Sequence, residues 1–397
     1  MNNCKIYLKP KKEESLLRFH PWIFSGAIAA IEGDPAEGDQ VDVYGSNNQF
    51  LGTGHYQIGS IMVRILSFTR VDFNISFWTD RLRQALELRG ALGLASSAAN
   101  DTYRLVHGEG DLLSGLIIDV YAHTAVVQAH TAGMHHARKD ITKALCEVFR
   151  NDIHRIYYKS EETLPYKAEL GGENEYLYDD GQMEPPVITE NDLQFRVDWL
   201  KGQKTGFFID QRDSRSLLRK YAKNRAVLNM FCYTGGFSVY ALQGGALLVH
   251  SVDSSAKAIA LTNENVALNF PEDARHQAFA EDAFNYLEKM DAQYDLIILD
   301  PPAFAKHKNV LRNALLGYRK LNVLAFKKIK PGGILFTFSC SQIVSKNDFR
   351  LAVFSAAAQT GRAVRILHQL TQPADHPINI YHPEGEYLKG LVLQVSG

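Results

Sequence analysis

The residues best suited to chemistry stand directly after apolar runs in the second half of the chain. A glycine pair, Gly235-Gly236, follows one run, and glycines let the main chain turn tightly and approach a ligand closely. The next run ends in Asp253, eighteen residues beyond Gly235, where a carboxylate could bind the hydroxyl pair of a ribose. Further on, Asp282 and Ala283 offer a carboxylate and main-chain N–H groups suited to adenine. The spacing predicts a site for a nucleoside-containing ligand.

Two reactive side chains end the following apolar runs. Asp300 precedes Pro301-Pro302, and two prolines cannot continue a central strand, so the chain must leave the sheet where Asp300 is displayed. Cys340 lies between two serines at the end of the next run. A thiol in such a place can act as a nucleophile, and a carboxyl group can hold or donate a proton. The plain alternatives are an inert buried cysteine and an aspartate that caps a turn.

A dinucleotide site is the rival interpretation of the glycine pair. It requires the pattern G-x-G-x-x-G, of which only the paired glycines are present here. A Gly-Gly turn without a ligand is the other alternative, and each further motif at a strand end weakens it.

Strands that alternate with helices must position these residues. After about residue 190, apolar runs of strand length are separated by helical patterns, which predicts βαβ units and a parallel sheet covered on both faces. The strand candidates are 226–230, 247–252, 294–299 and 334–338. In such a sheet, function concentrates at the carboxyl ends of the strands. The expected fold class is α/β, with a Rossmann-like domain over 190–397.

Two smaller domains are expected before this one. Residues 1–70 alternate short apolar runs with glycine-containing turns, which is typical of a small β barrel or sandwich. Residues 72–188 combine helical patterns near 72–98 and 134–150 with strand-like runs, one of them 153–158, which predicts an α+β middle domain. The boundary after it falls in an acidic stretch, 161–192, where ten acidic residues stand against one lysine.

Composition limits the class of protein. Of the 397 residues, 46% are hydrophobic and 22% are charged, which is typical of globular domains. The N-terminus has no apolar signal segment and no run approaches the length of a membrane span, so the cytoplasm is the expected location. The four cysteines lie far apart without a C-x-x-C pair, so neither a disulfide framework nor a metal site is expected.

The net charge of -1 hides a strong local asymmetry. Nine lysines and arginines stand against three aspartates in 196–225, and eight stand against no acid in 301–330. The opening stretch is also basic around His20-Pro21-Trp22. A nucleic-acid partner requires a local positive surface rather than a positive total, so such a partner stays open. Solvated helix faces and a basic edge strand are the alternatives.

Several longer motifs occur in a fixed order along the chain. They are His-Pro-Trp-Ile-Phe-Ser-Gly at 20–26, Arg-Leu-Val-His-Gly-Glu at 104–109, Lys-Thr-Gly-Phe-Phe-Ile-Asp-Gln-Arg at 204–212, the strand-end motifs, and Ala-Asp-His-Pro at 374–377. On these motifs the sequence resembles, over essentially its whole length, the bacterial RlmI-type family of 23S rRNA (cytosine-C5)-methyltransferases. One departure is Leu-Leu-Ser-Gly at 112–115, where relatives usually have Gly-Leu-Pro-Gly.

The resemblance implies S-adenosylmethionine as cofactor, a PUA-like N-terminal domain that binds RNA, and a class I methyltransferase domain. The stretch 204–212 would contribute to the cofactor pocket, 231–236 would curl round the methionine part, Asp253 would hold the ribose, and Asp282 would contact adenine. The cofactor-binding residues expected are Lys204, Thr205, Phe208, Asp210, Gln211, Arg212, Asn229, Phe231, Tyr233, Thr234, Gly235, Gly236, Asp253, Ser254, Asp282, Ala283 and Asp300. The RNA-binding residues expected are Lys9, Lys11, Lys12, Arg18, Lys306 and Lys308.

The partner implied is 23S rRNA or a precursor of the large ribosomal subunit, with a homodimer as an open alternative. Neither a membrane nor a metal is expected to take part. The basic segments 196–225 and 301–330 flank the inferred pocket and could track the RNA backbone.

The resemblance also implies the reaction. Cytosine C5 is a poor nucleophile, so a thiolate would first add to C6 and make C5 electron-rich enough to accept the methyl group. Cys340 is the expected nucleophile, and Asp300 is expected to stabilise or protonate the flipped base at N3. Cys232, inside the glycine loop, is expected to pack beside the methionine part. Pro302 stands where some RNA cytosine-C5 enzymes carry a second cysteine, so another base must release the product.

Two other functions are alternatives. Asp-Pro-Pro followed by an aromatic residue is also typical of methylation of a base nitrogen in guanine or adenine, although Ala303 here separates Pro302 from Phe304. A non-catalytic RNA-binding or ribosome-assembly protein is the alternative from another class. Intact motif residues at 235–236, 253, 300 and 340 disfavour it.

Overall fold

A computed structural model describes residues 4–95, 97–165, 170, 173–182, 186–291, 294–305 and 307–397 of the chain. These residues divide into two units, each built from three segments of the chain. The first unit comprises Met1–Thr189, Val197–Ile209 and Ala374–Gly385. The second unit comprises Glu190–Arg196, Asp210–Pro373 and Glu386–Gly397.

A six-stranded sheet forms the N-terminal part of the first unit. Its strands are β1 (Cys4–Leu8), β2 (Trp22–Phe24), β3 (Ile28–Glu32), β4 (Gln40–Tyr44), β5 (Phe50–Tyr56) and β6 (Ile61–Ser67), with a short helix α1 (Glu14–Leu17) after β1. They lie in the order β2-β6-β5-β4-β1-β3, and only the pair β1–β4 is parallel. Alternate residues such as Val41 and Val43 are fully buried, as the two-residue period of a strand requires. The β-rich N-terminus predicted from the sequence is confirmed.

A five-stranded sheet with helices forms the rest of the first unit. Its elements are α2 (Ile75–Ala91), β7 (Thr102–His107), β8 (Leu116–Tyr121), β9 (Thr124–Ala129), α3 (Ala132–His136), α4 (Arg138–Phe149), β10 (Arg155–Tyr158) and β11 (Glu175–Asp179). The strand order is β11-β10-β9-β8-β7. Trp78 and Leu82 of α2 and Leu145 of α4 are buried in one apolar core with the strands. The side chain of Asn74 accepts a hydrogen bond from Phe77 N and so caps α2.

The chain then forms a two-stranded hairpin of β12 (Val187–Glu190) and β13 (Leu193–Arg196). The elements that follow are α5 (Arg212–Tyr221), β14 (Ala226–Met230), α6 (Gly236–Gln243), β15 (Leu248–Asp253), α7 (Ala256–Asn269), β16 (His276–Ala280), α8 (Ala283–Lys289), β17 (Leu296–Leu299), α9 (Leu311–Lys328), β18 (Gly333–Ser339), α10 (Lys346–Thr360), β19 (Val364–Leu370) and β20 (Lys389–Val395). All of these lie in the second unit, apart from the first three residues of β12, 187–189.

A seven-stranded sheet forms the centre of the second unit. Its order is β16-β15-β14-β17-β18-β20-β19, and β14 to β18 are parallel to one another. The last strand in sequence, β20, runs antiparallel between β18 and β19. Every residue of β17 and β18 is buried, as expected for strands covered by helices on both faces.

The strands predicted in this unit are confirmed with small shifts of their ends. Residues 226–230 coincide with β14, and the other three candidates differ from β15, β17 and β18 by one or two residues at an end. The strands β16, β19 and β20 were not predicted. The helix predicted near 134–150 is two helices, α3 and α4, and the side chain of Thr131 caps the first. The domain boundaries at 70 and 188–190 stay predictions.

None of the helices in the described part of the chain has both the length and the apolar character needed to cross a bilayer.

Candidate active site

Four of the predicted site segments follow neighbouring strands of the seven-stranded sheet. Met230 at the end of β14 pairs with Val252 of β15 on one side and with Leu299 of β17 on the other. Leu299 in turn pairs with Thr337 of β18. Because the strands are parallel, the segments that follow them emerge at the same edge of the sheet. These segments contain Phe231, Tyr233, Thr234, Gly235, Gly236, Asp253, Ser254, Asp300 and Cys340.

The loop after β14 has an unusual main-chain conformation. Phe231, Tyr233 and Gly235 all have positive φ angles, of 58°, 47° and 78°. A Cβ atom on Gly235 would lie 2.7 Å from Cγ2 of Thr262, so this position requires glycine for space as well as for conformation. Two non-glycine residues held in the left-handed region are costly, and such residues cluster at functional sites.

Side chains of α7 and the end of β15 hold this loop in place. Thr262 Oγ1 donates to Tyr233 O at 2.9 Å, and Asn265 Nδ2 donates to Thr234 O at 2.8 Å. Asp253 accepts from Tyr233 N at 3.0 Å and from Ser255 N at 2.9 Å. These main-chain donors orient the Asp253 carboxylate, and its remaining lone pairs could accept from hydroxyl groups. The neighbouring Ser254 is exposed.

Asp282 and Ala283 follow the strand that pairs with the end of β15, where Glu281 N donates to the main-chain oxygen of Asp253 at 3.0 Å. Asp282 Oδ1 accepts from Asn285 N at 3.0 Å and so caps α8, which begins at Ala283. Asp282 therefore has a structural role that the sequence did not predict, in addition to the adenine contact that remains a prediction.

Two buried oxygen atoms at the site have no hydrogen-bond partner among the described residues: Asn229 Oδ1 and Gln211 Oε1. Asn229 is 1% exposed and donates through Nδ2 to Ser238 Oγ at 2.9 Å. An unpartnered buried acceptor is costly unless a ligand or water supplies a donor. S-adenosylmethionine carries an ammonium group and ribose hydroxyls that donate hydrogen bonds, so the acceptors here fit the cofactor that the sequence predicts.

The second half of the 204–212 motif belongs to the same unit as these residues. Gln211 Nε2 donates to Asp300 Oδ2 at 3.0 Å, which joins a predicted cofactor residue to a predicted catalytic one. Asp210 accepts from the hydroxyl of Tyr387 at 2.7 Å. Arg212 lies 3.6 Å from the fully buried carboxylate of Glu190. Tyr387 and Glu190 were missed by the sequence analysis, because neither stands in a motif.

The first half of this motif lies in the first unit. Thr205 is fully buried, and its hydroxyl donates to Asp119 Oδ2 at 2.6 Å and contacts the hydroxyl of Tyr121 at 2.9 Å. Lys204 Nζ lies 4.6 Å from the centre of the Phe208 ring, a cation–π contact. Packing inside the first unit therefore accounts for Thr205, and the cofactor role of these three residues stays a prediction.

Cys340 lies immediately beyond β18, beside the segment that carries Asp300. Its Sγ is 4.0 Å from the main-chain oxygen of Pro301, and its side chain is half-buried. The two serines around it are fixed by Tyr318, whose hydroxyl accepts from Ser339 Oγ at 3.0 Å and contacts Ser341 Oγ at 3.1 Å. The structure thus brings together the two residues predicted to be catalytic.

Cys232 differs from Cys340 in its surroundings. It is 7% exposed, and burial raises the pKa of its thiol to about 12. Its Sγ contacts Thr262 Oγ1 at 3.7 Å. A thiol with this pKa stays protonated at neutral pH and is a poor nucleophile, which agrees with the packing role expected from the sequence.

Four of the six basic residues predicted to bind RNA lie in the segment between β1 and β2. Lys9, Lys11, Lys12 and Arg18 are exposed, and Arg18 pairs with Glu14 one helical turn away. Lys12 also lines a groove of about 300 Å³ together with Ser15, Leu16, Trp22, Ile23, Phe24, Gly26 and Ala27. Basic and aromatic groups side by side suit nucleic acid. Lys306 lies outside the described residues, and Lys308, of which only the main chain is described, begins a short 3₁₀ turn.

One group of potential metal ligands occurs in the described part of the first unit: His20, His382 and Glu384. Their nearest contacts are 3.5 Å and 3.8 Å, from each histidine Nε2 to the carboxylate. Trp22 N, however, donates to His20 Nδ1 at 3.2 Å, which places the proton of the neutral ring on Nε2. That proton faces Glu384, so the contact opposes a metal at this nitrogen.

Comparison with families of known proteins gives two matches. The family described as S-adenosylmethionine-dependent methyltransferase matches residues 166–386, and a PUA-like domain matches residues 6–68. The second match covers the six-stranded sheet. The predicted fold, a PUA-like domain followed by a class I methyltransferase domain, is confirmed.

Curated relatives match along the whole chain. A ribosomal RNA large subunit methyltransferase I from Aeromonas hydrophila is 41% identical, over 99% of each chain. The protein of the same name from Tolumonas auensis is 40% identical, over 98% of each chain. A Streptococcus mutans structure assigned to the SAM-dependent methyltransferases has a TM-score of 0.83 at 24% identity, over 98% of this chain and 100% of that one. A methyltransferase structure complexed with SAH has a TM-score of 0.84 at the same identity and coverage.

Proposed function

Because the chain belongs to the ribosomal RNA large subunit methyltransferase I family of S-adenosylmethionine-dependent methyltransferases, we propose that it methylates C5 of a cytosine in 23S ribosomal RNA through an adduct with Cys340. Its cofactor is S-adenosylmethionine. The relatives' name gives the kind of substrate. The assignment of C5 as the methylated atom depends on the arrangement of residues in the candidate active site.

The observation that carries the choice of C5 is the position of Cys340. Its thiol lies at a strand end, 4.0 Å from the main chain that follows Asp300. Methylation of a base nitrogen requires no thiol, because nitrogen supplies its own lone pair. A carbon acceptor requires a nucleophile to make it electron-rich, and a half-buried thiol next to the segment that carries Asp300 meets that requirement.

In the proposed reaction, Cys340 Sγ forms a bond to C6 while the electrons of the C5–C6 double bond shift towards C4 and N3. Asp300, oriented by Gln211, donates a proton to N3, where negative charge develops, so that C5 becomes the nucleophilic carbon of an enamine. When bound, S-adenosylmethionine would supply the electrophilic methyl group for C5, with S-adenosylhomocysteine as its leaving group. A base then removes the C5 proton, N3 returns its proton to Asp300, the C5–C6 double bond forms again, and the S–C6 bond breaks to return the thiolate.

The N-terminal sheet supplies the proposed RNA contacts. Lys9, Lys11, Lys12 and Arg18 offer positive charge for phosphates, and the half-exposed Phe24 offers a ring for stacking next to Lys12. These contacts would deliver the RNA, and Lys306 and Lys308 are proposed to meet its backbone near the catalytic domain.

A trapping experiment tests the adduct. RNA that contains 5-fluorocytidine blocks removal of the C5 substituent, so the wild-type enzyme is expected to form a complex with it that survives denaturing electrophoresis. Cys340→Ala should form none and should lose methylation of unmodified RNA by at least about a thousandfold. Cys146→Ala, at a half-buried thiol of the first unit, is the matched control and should still form the complex.

The position of the methyl group is tested by nucleoside mass spectrometry of ribosomal RNA from cells with and without the gene. Loss of one 5-methylcytidine supports the proposal. Two results would instead support methylation of a base nitrogen. One is full methylation by Cys340→Ala, and the other is the loss, in cells without the gene, of a methyl group from a guanine or adenine nitrogen. Loss of no methylated nucleoside, with no binding of S-adenosylmethionine by calorimetry, would favour a non-catalytic role.

A further inference from the structure

A buried amine lies at the same strand end as Cys340. Lys389, the first residue of β20, is 5% exposed and stands opposite Ser339 where β18 and β20 pair. Its Nζ donates to the main-chain oxygens of Ser341 and Tyr387, both at 2.6 Å. Neutral carbonyl oxygens therefore fill two of its three donor positions, and one of these oxygens belongs to the residue that follows Cys340.

In the described part of the second unit, no carboxylate accepts a hydrogen bond from this amine. Within the described residues of the second unit, Lys389 forms no ion pair. The carboxylate nearest to it in sequence, Glu386, is paired with Lys346 instead. A buried ammonium group without a negative partner is costly, and carbonyl oxygens compensate for only part of that cost. Some other negative group next to Lys389 would therefore stabilise it.

We infer that Lys389 is a positioning residue that keeps Cys340 in its thiolate form by pairing an ammonium group with the sulfur. The inference deepens the proposed function, because it supplies the activated nucleophile that the adduct requires. Two observations carry it: the register that puts Lys389 beside the Ser339–Ser341 segment, and the hydrogen bond from Nζ to Ser341 O. The hydroxyl of Tyr318 is hydrogen-bonded to both serines of this segment, which fixes the main chain on either side of Cys340. The thiol therefore has a fixed position relative to the Lys389 amine.

Electrostatics in the second unit support the pairing. Burial lowers the pKa of Lys389 to about 8, and the neighbouring Cys340 and Glu386 act against this lowering. At pH 7 an amine with this pKa is mostly protonated, and its neutral fraction can accept a proton. The S–H proton of Cys340 moves to the neutral amine, which yields a thiolate and an ammonium ion with no change in total charge. The third N–H of the ammonium group, which neither of the two carbonyl oxygens uses, is the one that we assign to the sulfur.

The test is the pH profile of Cys340 alkylation in the full-length protein. Iodoacetamide reacts with thiolates, and peptide-resolved mass spectrometry separates Cys340 from the other three cysteines. In the wild type, the midpoint for Cys340 is expected below the ordinary value of about 8.5. Lys389→Met should raise the midpoint by about one unit or more and slow alkylation at pH 7 about tenfold. Lys389→Arg keeps the charge and should keep most of the effect.

Lys328→Met is the matched control, because Lys328 Nζ, at the end of α9, also donates to a main-chain oxygen, that of Met290 at 2.6 Å. This variant should leave the Cys340 profile unchanged. A Lys389→Met profile that overlays the wild type, in protein that still binds S-adenosylmethionine, overturns the inference. If Lys389→Met does not fold, equal midpoints for Lys389→Gln and Lys389→Arg overturn it instead. No RNA enters this assay, so a wrong assignment of the methylated atom would leave its result unaffected.

Discussion

Burial distinguishes the two cysteines that follow strands in the second unit. Cys232 is enclosed by the glycine loop and α7, and its raised thiol pKa keeps it protonated. Cys340 keeps part of its surface open beside the segment that carries Asp300. Both are strand-end thiols in the sequence, so only the packing around each sulfur distinguishes the buried thiol from the partly open one, for which we propose the nucleophilic role.

Gly235 permits a direct test of the loop that follows β14. Gly235→Ala should lower the free energy of unfolding by about 2–4 kcal/mol, from left-handed strain of about 1 kcal/mol and from the contact with Thr262. Urea unfolding measures this change, and binding of S-adenosylmethionine should be lost as well.

The control for Gly235 is Gly361, which has a φ of 68° at the end of α10 and nothing within 4 Å of an added Cβ. Gly361→Ala therefore introduces left-handed strain without a steric contact, and it should lower the free energy of unfolding by only about 1 kcal/mol. Equal losses in the two variants would show that Thr262 does not restrict the loop.

Tyr387 is the second residue to test. Tyr387→Phe removes the hydrogen bond to Asp210 and should lower the free energy of unfolding by about 1–2 kcal/mol, since a buried acceptor loses its donor. The half-exposed Tyr381, whose hydroxyl has no hydrogen-bond partner in the described residues, supplies the control. An unchanged urea midpoint for Tyr387→Phe would contradict a role for this bond.

At the scale of elements, the Leu-Leu-Ser-Gly segment at 112–115, which departs from the family pattern, strains the main chain at one residue and gains a side-chain hydrogen bond at another. Leu112 has a φ of 58° at the end of a short 3₁₀ turn, where the resembling family usually has glycine. Ser114, where that family usually has proline, donates to Glu109 Oε1 at 2.6 Å. The same oxygen accepts from Trp22 Nε1 at 2.9 Å. A side-chain bond thus replaces part of the stiffness that proline would give.

Leu112→Gly is expected to stabilise the protein by about 0.5–1 kcal/mol, because relief of left-handed strain exceeds the entropy that glycine gains in the unfolded chain. Thermal unfolding followed by circular dichroism should show a higher midpoint. Leu92, similarly exposed but with an ordinary φ of -79°, is the control, and Leu92→Gly should lower the midpoint. A lower midpoint for Leu112→Gly would show that the leucine side chain contributes more than its strain costs.

Local signals predicted the parallel part of the catalytic sheet well. The apolar runs at 226–230 and 334–338 are continuous because both faces of the sheet are covered, and turn residues bound them clearly. β19 was missed because most of its side chains are partly or fully exposed and include Arg365 and His368. β20 was missed although it is apolar, since no βαβ pattern announces an antiparallel strand added after the parallel set.

The residues of the candidate site also divide into those that the sequence predicts and those that it does not. Gly235 and Asp253 could be found from the sequence because each lies at the end of a strand or just beyond it and has a recognisable residue type. Gln211, Tyr387 and Lys389 reach the site from distant parts of the sequence, and their roles come from contacts with Asp300, Asp210 and Ser341. Spacing along the chain carries no information about such contacts, although the motif at 204–212 did include Gln211.

At the scale of the whole molecule, each unit contains a histidine that resists protonation. Burial lowers the pKa of His55 in the first unit to about 3, and burial lowers that of His276 in the second unit to about 4. In the unfolded chain both pKa values return to about 6.5. Between these limits the unfolded state binds protons that the folded state does not. The protonation of these two histidines in the unfolded state therefore has little effect on stability above pH 6.5, and it lowers stability as the pH drops from 6.5 towards 4.

His55→Gln tests this pH dependence. At pH 5.5 the protonation of unfolded His55 alone should cost about 1.4 kcal/mol relative to pH 7.5, and the variant should lack that part of the decrease. Urea unfolding at both pH values gives the comparison. The control is His123→Gln, at an exposed histidine of the same unit. Its free energy of unfolding should fall between pH 7.5 and pH 5.5 by as much as that of the wild type. A decrease of equal size in His55→Gln and wild type would assign the acid sensitivity to other groups.

The position of β20 also has a consequence for protein synthesis. β20 follows β19 in the chain yet lies between β18 and β19, so both strands emerge from the ribosome before the strand that joins them. Until β20 is made, the main-chain N–H and C=O groups of β18 and β19 that face it stay unpaired, and such open strand edges can pair with other chains. The same delay keeps Lys389 away from Cys340. A growing polypeptide would thus carry an unactivated thiol, and the nucleophile would mature only when the sheet closes.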